Sequence, residues 1–161
     1  MLTFRDTVTA ADLENVRRIL ASTGFFDQAP DEIDVALELV QTALDGGNTV
    51  ENYRCLFAEE GGETVGYVCF ARVPCSLATF EIYWLAVDNA RRGRGLGKQI
   101  IARALDEMRG KGAKKVVLCT AGRAQYLPTQ KFYESRGFVC EARIKDYFAP
   151  GDDELVYTLA L

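Results

Sequence analysis

Histidine is absent from all 161 residues, which removes Ser-His-Asp and Cys-His nucleophilic chemistry together with the commonest metal ligand. A general base in this chain has to be Glu, Asp, Tyr, Lys, Cys or water, and no metal is expected. A C-x-x-C pair is missing too. The five cysteines, Cys55, Cys69, Cys75, Cys119 and Cys140, are scattered and odd in number. Cys55, Cys69 and Cys119 fall in apolar, strand-like stretches and are expected to be buried free thiols, which fits a reducing, cytoplasmic location. Excess positive charge is lacking: 19 Lys and Arg against 23 Asp and Glu leave a net charge of −4, which argues against nucleic acid as a partner. No apolar run is long enough to cross a bilayer, and the opening Met-Leu-Thr-Phe-Arg-Asp has no apolar core of signal-peptide type, so no membrane contact is expected.

What is present is ordinary globular composition, 48% hydrophobic and 26% charged. The length suits one domain, residues 1–161, able to bury roughly 70% of its unfolded surface. Leu2–Arg5 reads as a short strand. Thr9, with Asp12 three residues on, signals a helix from Ala10 to about Ala21 that carries Leu13, Val16, Ile19 and Leu20 on one face. A second helix starts at Pro30 or Asp31 and runs to Leu44. Tyr53–Glu59 and Thr64–Val73 flank Glu60-Gly61-Gly62-Glu63, a hairpin turn by composition, and Phe80–Val87 completes the meander. Gly95–Lys111 is helical, Lys115–Thr120 is a buried strand of parallel type, and Pro128–Ser135 is a helix closed by Gly137. Phe138–Ile144 and Leu155–Leu161 are the last strands, separated by a loop from Asp146 to Glu154. The order β-α-α-β-β-β-α-β-α-β-β describes one mixed α/β sheet domain.

The segment from Trp84 to Met108 concentrates the chemistry. An apolar strand enters a basic, glycine-rich turn that opens straight into an amphipathic helix. Helix N-termini offer unpaired N–H groups and the positive dipole end, glycines let a phosphate approach the backbone, and Arg91, Arg92, Arg94 and Lys98 add fixed charge. A pyrophosphate is the ligand this suits. A P-loop would need Gly where Arg92 stands and Ser or Thr where Gln99 stands. A dinucleotide fingerprint fails on the spacing of Gly93, Gly95 and Gly97, and on the missing acidic residue about 20 positions on. A plain turn with surface arginines is the structural alternative.

Arg92-x-x-Gly95-x-Gly97 after a strand ending Leu-Ala-Val87 resembles the acetyl-CoA pyrophosphate loop of the GNAT superfamily of N-acetyltransferases. Glu81-Ile-Tyr-Trp-Leu-Ala-Val87 resembles the fourth strand of that fold. Phe132-Tyr133-Glu-Ser-Arg-Gly137-Phe138 is similar to its F-Y-x-x-x-G-F segment, and two helices between the first two strands match its element order. The resemblance covers essentially the whole chain and implies the GNAT, or acyl-CoA N-acyltransferase, fold. It implies acetyl-CoA as co-substrate, bound through Arg92, Gly93, Arg94, Gly95, Leu96, Gly97 and Lys98. Backbone N–H groups of Leu85, Ala86 or Val87 would receive the developing oxyanion. One departure is plain: many relatives carry Asn seven residues before the helix tyrosine and Ala three residues later, where this chain has Tyr126 and Thr129. Tyr126 is therefore assigned to a cofactor contact made in a different way.

The same resemblance makes Tyr133 the donor to the departing sulfur, with a packed core aromatic as the structural alternative. Glu81 is the candidate general base, through water; a hydrogen-bonded structural Glu, or one that holds the substrate's ammonium, is the alternative. Strand alternation puts Glu81, Tyr83, Leu85 and Val87 on one face, opposite Ile82, Trp84 and Ala86, and Tyr83 could share the base's role. The acceptor is expected between Phe25-Phe26 and the Asp146–Glu154 loop. There Asp146, Asp152, Asp153 and Glu154, interleaved with Tyr147 and Phe148, suit a cationic amine with an apolar body, although the same residues are ordinary turn formers. The reading is an N-acetyltransferase for a small-molecule or amino-acid amine, with Phe25, Phe26, Tyr83 and Tyr147 toward the acceptor. A protein N-terminal or lysine acetyltransferase, or a non-catalytic acyl-CoA-binding module, are the other classes. Homodimers are common in this superfamily.

Overall fold

Two separate apolar cores lie on opposite faces of one seven-stranded sheet in the computed structural model, which describes residues 1–161. The strands are β1 Leu2–Arg5, β2 Arg54–Glu60, β3 Glu63–Arg72, β4 Thr79–Val87, β5 Lys115–Ala121, β6 Val139–Ala149 and β7 Asp152–Ala160, in spatial order β1-β2-β3-β4-β5-β7-β6. Four helices cover them: α1 Ala11–Ser22, α2 Glu32–Gly46, α3 Leu96–Gly110 and α4 Leu127–Ser135. This is the element order expected from the sequence, and most boundaries fall within two residues of the expected ones.

Each helix buries the stripe that its 3.6-residue period dictates. Val16, Ile19 and Leu20 of α1 and Ile33, Ala36, Leu37 and Val40 of α2 pack on one sheet face with Phe57 and Tyr67. Ile100, Ile101, Ala104 and Met108 of α3 pack on the other face with Val68, Phe70 and Phe80. Strand β3 is buried on both faces along nearly its whole length, so it reads as a continuous apolar run rather than an alternation. No helix is long and apolar enough to cross a membrane.

The N-terminus is pinned electrostatically. Asp12, fully buried, takes two guanidinium N–H groups of Arg5 at 2.7 and 2.9 Å and the Thr9 amide at 2.8 Å. Burial pushes its pKa up, but the Arg5 pair and the Thr9 and Asn15 hydrogen bonds outweigh that and hold the carboxyl below its ordinary value. The Thr9–Asp12 signal is thus a reversed cap, with Asp12 reaching back to the amide of Thr9.

Two expectations change here. The expected loop from Asp146 to Glu154 is mostly strand. β6 runs to Ala149, β7 starts at Asp152, and the turn is Pro150-Gly151. The register jumps from Ile144↔Glu154 to Ala149↔Asp152, a bulge in which Asp146 adopts φ 55°. Its turn-like composition serves that bulge: Asp146 accepts from the Gly151 amide at 2.7 Å, and Asp153 takes the Asp146 amide and Arg143. The second concerns Cys119. Cys55 and Cys69 are fully buried as expected, but Cys119 is exposed, because it faces the cleft that opens beside β5.

Candidate active site

Strands β4 and β5 pair in parallel only between Thr79–Glu81 and Lys115–Val117. Beyond that point they diverge, and Leu85, Ala86 and Val87 border a cavity of about 620 Å³ with no β5 residue opposite them. Gly97 of α3, Phe132 and Tyr133 of α4, Cys119, Thr120 and Ala121 of β5, and Phe25 and Phe26 between α1 and α2 complete much of the wall.

One end of this cavity gathers free backbone amides and positive charge. Gly93 and Gly95 have φ of 75° and 77°, a left-handed backbone that side chains rarely adopt, and Gly95 caps α3. The first amide bonded within the helix is that of Gln99, to the Gly95 carbonyl at 3.2 Å. The amides of Leu96, Gly97 and Lys98 are therefore left for a ligand. The Leu96 side chain is buried in the core below, so only its backbone serves the loop. The four cations split into two groups. Arg91 and Arg94 both bind Glu60, at 3.0 Å each. Arg92 and Lys98 are exposed and make no ion pair; the Arg92 guanidinium sits 5.7 Å over the Phe25 ring. Uncommitted amides and uncommitted cations on one turn fit a pyrophosphate.

Deeper in, Tyr133 is nearly fully buried among Phe132, Phe138 and Tyr157, and its side chain reaches the cavity wall. Burial alone pushes its phenol pKa well above the ordinary value, so it stays a neutral donor. Tyr126 is stacked on Phe25 at 4.6 Å, and Arg123 covers the other ring face at 4.7 Å. Arg123 is fixed in turn by buried Asp152 at 2.8 Å. The departure at Tyr126 thus produces an aromatic contact across the cavity.

The expected alternation along β4 fails in its middle. Cys69 pairs with Trp84 but Phe70 with Ile82, so Tyr83 is an extra residue, a bulge that reverses the facing of everything after it. Phe80, Ile82, Leu85 and Val87 pack toward the α3 core, while Trp84 and Ala86 pack toward α1 and α2. Glu81 consequently shares its face with Trp84 and Ala86, not with Leu85 and Val87. Tyr83 lines the cavity and meets Tyr53 edge-on at 5.5 Å.

Glu81 is half-buried and forms no ion pair. Burial raises its pKa, the Tyr83 hydroxyl opposes that rise, and the charge of Glu154 adds to it. Although its surface is exposed to the cleft, Cys119 is partly desolvated by the surrounding walls, which raises its thiol to about 11, with further contributions from Glu154 and Glu81. These three side chains belong to β4, β5 and β7 and share the face opposite Phe80, Leu118 and Leu155. They form an acidic floor beside the cavity. Asp146 and Glu154 are the acidic residues of the hairpin without a cation, and of these Glu154 is not tied into the turn. Asp152 is bound to Arg123 and Asp153 to Arg143, while Asp146 caps the turn. Tyr147 stands outside the cavity, 55% exposed, because the bulge turns it outward; its neighbour Phe148 lines the wall instead. Cys119 and Glu154 could not be placed from composition, since the β4–β5 register brings Cys119, and the β5–β7 register Glu154, onto the face of Glu81.

A family model described as acetyltransferase (GNAT) family matches residues 14–138. A GNAT-family structure from Desulfovibrio desulfuricans is 38% identical, with a TM-score of 0.93 over 99% of both chains. An aminoglycoside 6′-N-acetyltransferase complexed with coenzyme A shares the fold, with TM-score 0.77 and 15% identity over 99% of this chain and 96% of that one. A mycothiol acetyltransferase from Beutenbergia cavernae is 40% identical over 73 residues, 45% of this chain and 24% of that protein. The counterpart from Corynebacterium glutamicum strain R is 37% identical over 90 residues, 55% of this chain and 30% of its own length. The chain thus spans about a quarter to a third of the length of the curated relatives it matches.

Proposed function

The chain belongs to the acetyltransferase (GNAT) family, and from that premise we propose that it transfers an acetyl group from acetyl-CoA to the primary amine of a small cationic acceptor. One observation carries this reading. A single cavity is walled by Arg92 and Gly97 at the α3 N-terminus, by Tyr133 and by Cys119, and Glu81 and Glu154, neither of which has a cationic partner, stand beside it on the sheet face of Cys119.

Acetyl-CoA supplies an activated thioester when bound. Arg92, Lys98 and the amides of Leu96 and Gly97 hold its pyrophosphate. The backbone N–H groups of Leu85 and Val87 point away from β3, have no β5 partner and receive the negative charge that develops on the acyl oxygen. Tyr133 donates its phenolic proton toward the sulfur as the carbon–sulfur bond opens. Glu81 takes the proton that the amine must lose, through water, and its raised pKa brings it closer to the working range of a base. Glu154 draws the cationic acceptor onto the floor. Holding both reactants in one cavity is worth several kcal/mol of the barrier.

A small acceptor is favoured over a peptide because Phe25 and Tyr126, both on the cavity wall, stack on one another and close off that side, where a peptide would need an open groove. Thiol release from acetyl-CoA, measured against mono-amines, diamines, amino acids and peptides, tests this reading. Small cationic amines should accelerate release most. Acceleration by peptides alone would assign the acceptor to protein, and none with any amine would leave a binding module.

A further inference from the structure

The hairpin turn between β2 and β3 lies against the pyrophosphate loop, and its two glutamates take up half of that loop's positive charge. Glu60 accepts from Arg91 Nη1 at 3.0 Å and from both terminal nitrogens of Arg94, at 3.0 and 3.2 Å. Glu63 accepts from the other terminal nitrogen of Arg91, also at 3.0 Å. The Glu60 side chain is only 14% exposed although it stands at a strand end, because the two guanidiniums cover it. Next to it, Arg18 ties Asp88, at the start of the loop, at 2.5 Å, and donates to the Thr64 carbonyl at 2.7 Å.

A loop with glycines at two left-handed positions has high conformational freedom in the absence of such ties, and ordering it on binding costs conformational entropy. A carboxylate that binds two arginines of the same turn removes that cost beforehand. It also withdraws both arginines from the phosphate. Arg92 and Lys98, which no carboxylate touches, remain as the cations that a pyrophosphate meets.

We propose that Glu60 is a positioning residue of the coenzyme A site. Through Arg91 and Arg94 it fixes the turn that presents Arg92 and the α3 amides, and Arg94 serves this anchoring rather than the phosphate. This rests on the coenzyme A reading above. Glu60's negative charge taken alone predicts the opposite effect, since it should repel a pyrophosphate.

The test is the affinity of wild-type and Glu60→Gln protein for coenzyme A and for pantetheine, which lacks the pyrophosphate. Emission from Trp84, the only tryptophan and a residue of the cavity wall, reports both titrations. Glu60→Gln should weaken coenzyme A binding about 5- to 20-fold and leave pantetheine affinity within about twofold. Unchanged or tighter coenzyme A binding would overturn the proposal, as would equal loss of both ligands, which signals general damage to the fold. A wild-type protein that binds neither ligand would remove the coenzyme A reading itself, and the proposal with it.

Discussion

The ring of Phe25 stacks on that of Tyr126 with centroids 4.6 Å apart and planes 21° from parallel. The two residues belong to segments about a hundred positions apart, one between α1 and α2 and one leading into α4. The stack extends at both ends, to Arg92 over Phe25 and Arg123 over Tyr126. Beside it, the Gln125 amide donates to the Gly24 carbonyl at 3.4 Å. The array therefore joins the pyrophosphate turn to Asp152 of β7 across the mouth of the cavity. Arg92 has no other partner stronger than a 3.4 Å bond to Asn89, so it can leave Phe25 for an anion at small cost.

Phe25→Ala should widen the range of acceptors. The stack is present with or without acceptor, so its loss opens the wall rather than removing a substrate contact; peptides and bulky amines are expected to gain relative to a small amine. The check is the ratio of kcat/KM for a peptide amine to that for a small amine. A ratio unchanged from wild type would show that the contact does not limit access.

The acid limb of the kcat profile should follow Glu81. Burial first, and then the charge of Glu154, raise its pKa, so the limb is expected above the ordinary glutamate value. Glu154→Gln removes one raising contribution and should move the limb to lower pH, while KM for a cationic amine rises several-fold. Glu81→Gln should abolish the limb. A limb that stays in place in both variants would assign it to the amine or to another group.

The sequence made the fold legible because its helices and strands rely on local periodicity and on strong turn residues. Val16, Ile19 and Leu20, or Ile100, Ala104 and Met108, announce a helix face without reference to anything distant. The glycine-rich turn before α3 was readable for the same reason, since its glycines and arginines are contiguous. What escaped depends on register. Tyr83 alternates correctly until the β3 pairing inserts it as a bulge, and no local signal marks that. The hairpin glutamates read as turn composition until folding sets Glu60 against Arg91 and Arg94, about 30 positions away. Asp146 to Glu154 looked like a loop because a bulged strand pair uses the same residues as a turn.

Tyr133→Phe keeps the ring packed against Phe138 and Tyr157 and deletes only the hydroxyl. Loss of a proton or hydrogen bond to the leaving sulfur should lower kcat by about 10²-fold or more, with coenzyme A affinity within about twofold. Because burial holds the phenol neutral well past its ordinary pKa, wild-type activity should show no alkaline limb from this residue below about pH 10. Steady-state kinetics and coenzyme A titration separate the two effects. Wild-type turnover in the variant would make Tyr133 a packing residue only.

The Asp12–Arg5 pair predicts a stability change remote from the cavity. Asp12 is fully buried, and Asp12→Ala would leave the Thr9 amide without its acceptor and Arg5 with Glu59 as its one remaining carboxylate. Because Arg5 keeps Glu59, the cost is that of the lost hydrogen bonds and the unsatisfied amide, about 2 kcal/mol, which for a chain of this size lowers Tm by roughly 4–8 °C. Its folded pKa lies below the ordinary value of 3.8, so its contribution is fully present above that pH and is lost as pH falls through the folded pKa. Thermal melts between pH 7 and 2 should show the wild type losing stability at the acid end more steeply than Asp12→Ala, the two curves converging there. Parallel curves would mean that Asp12 is not ionised in the fold.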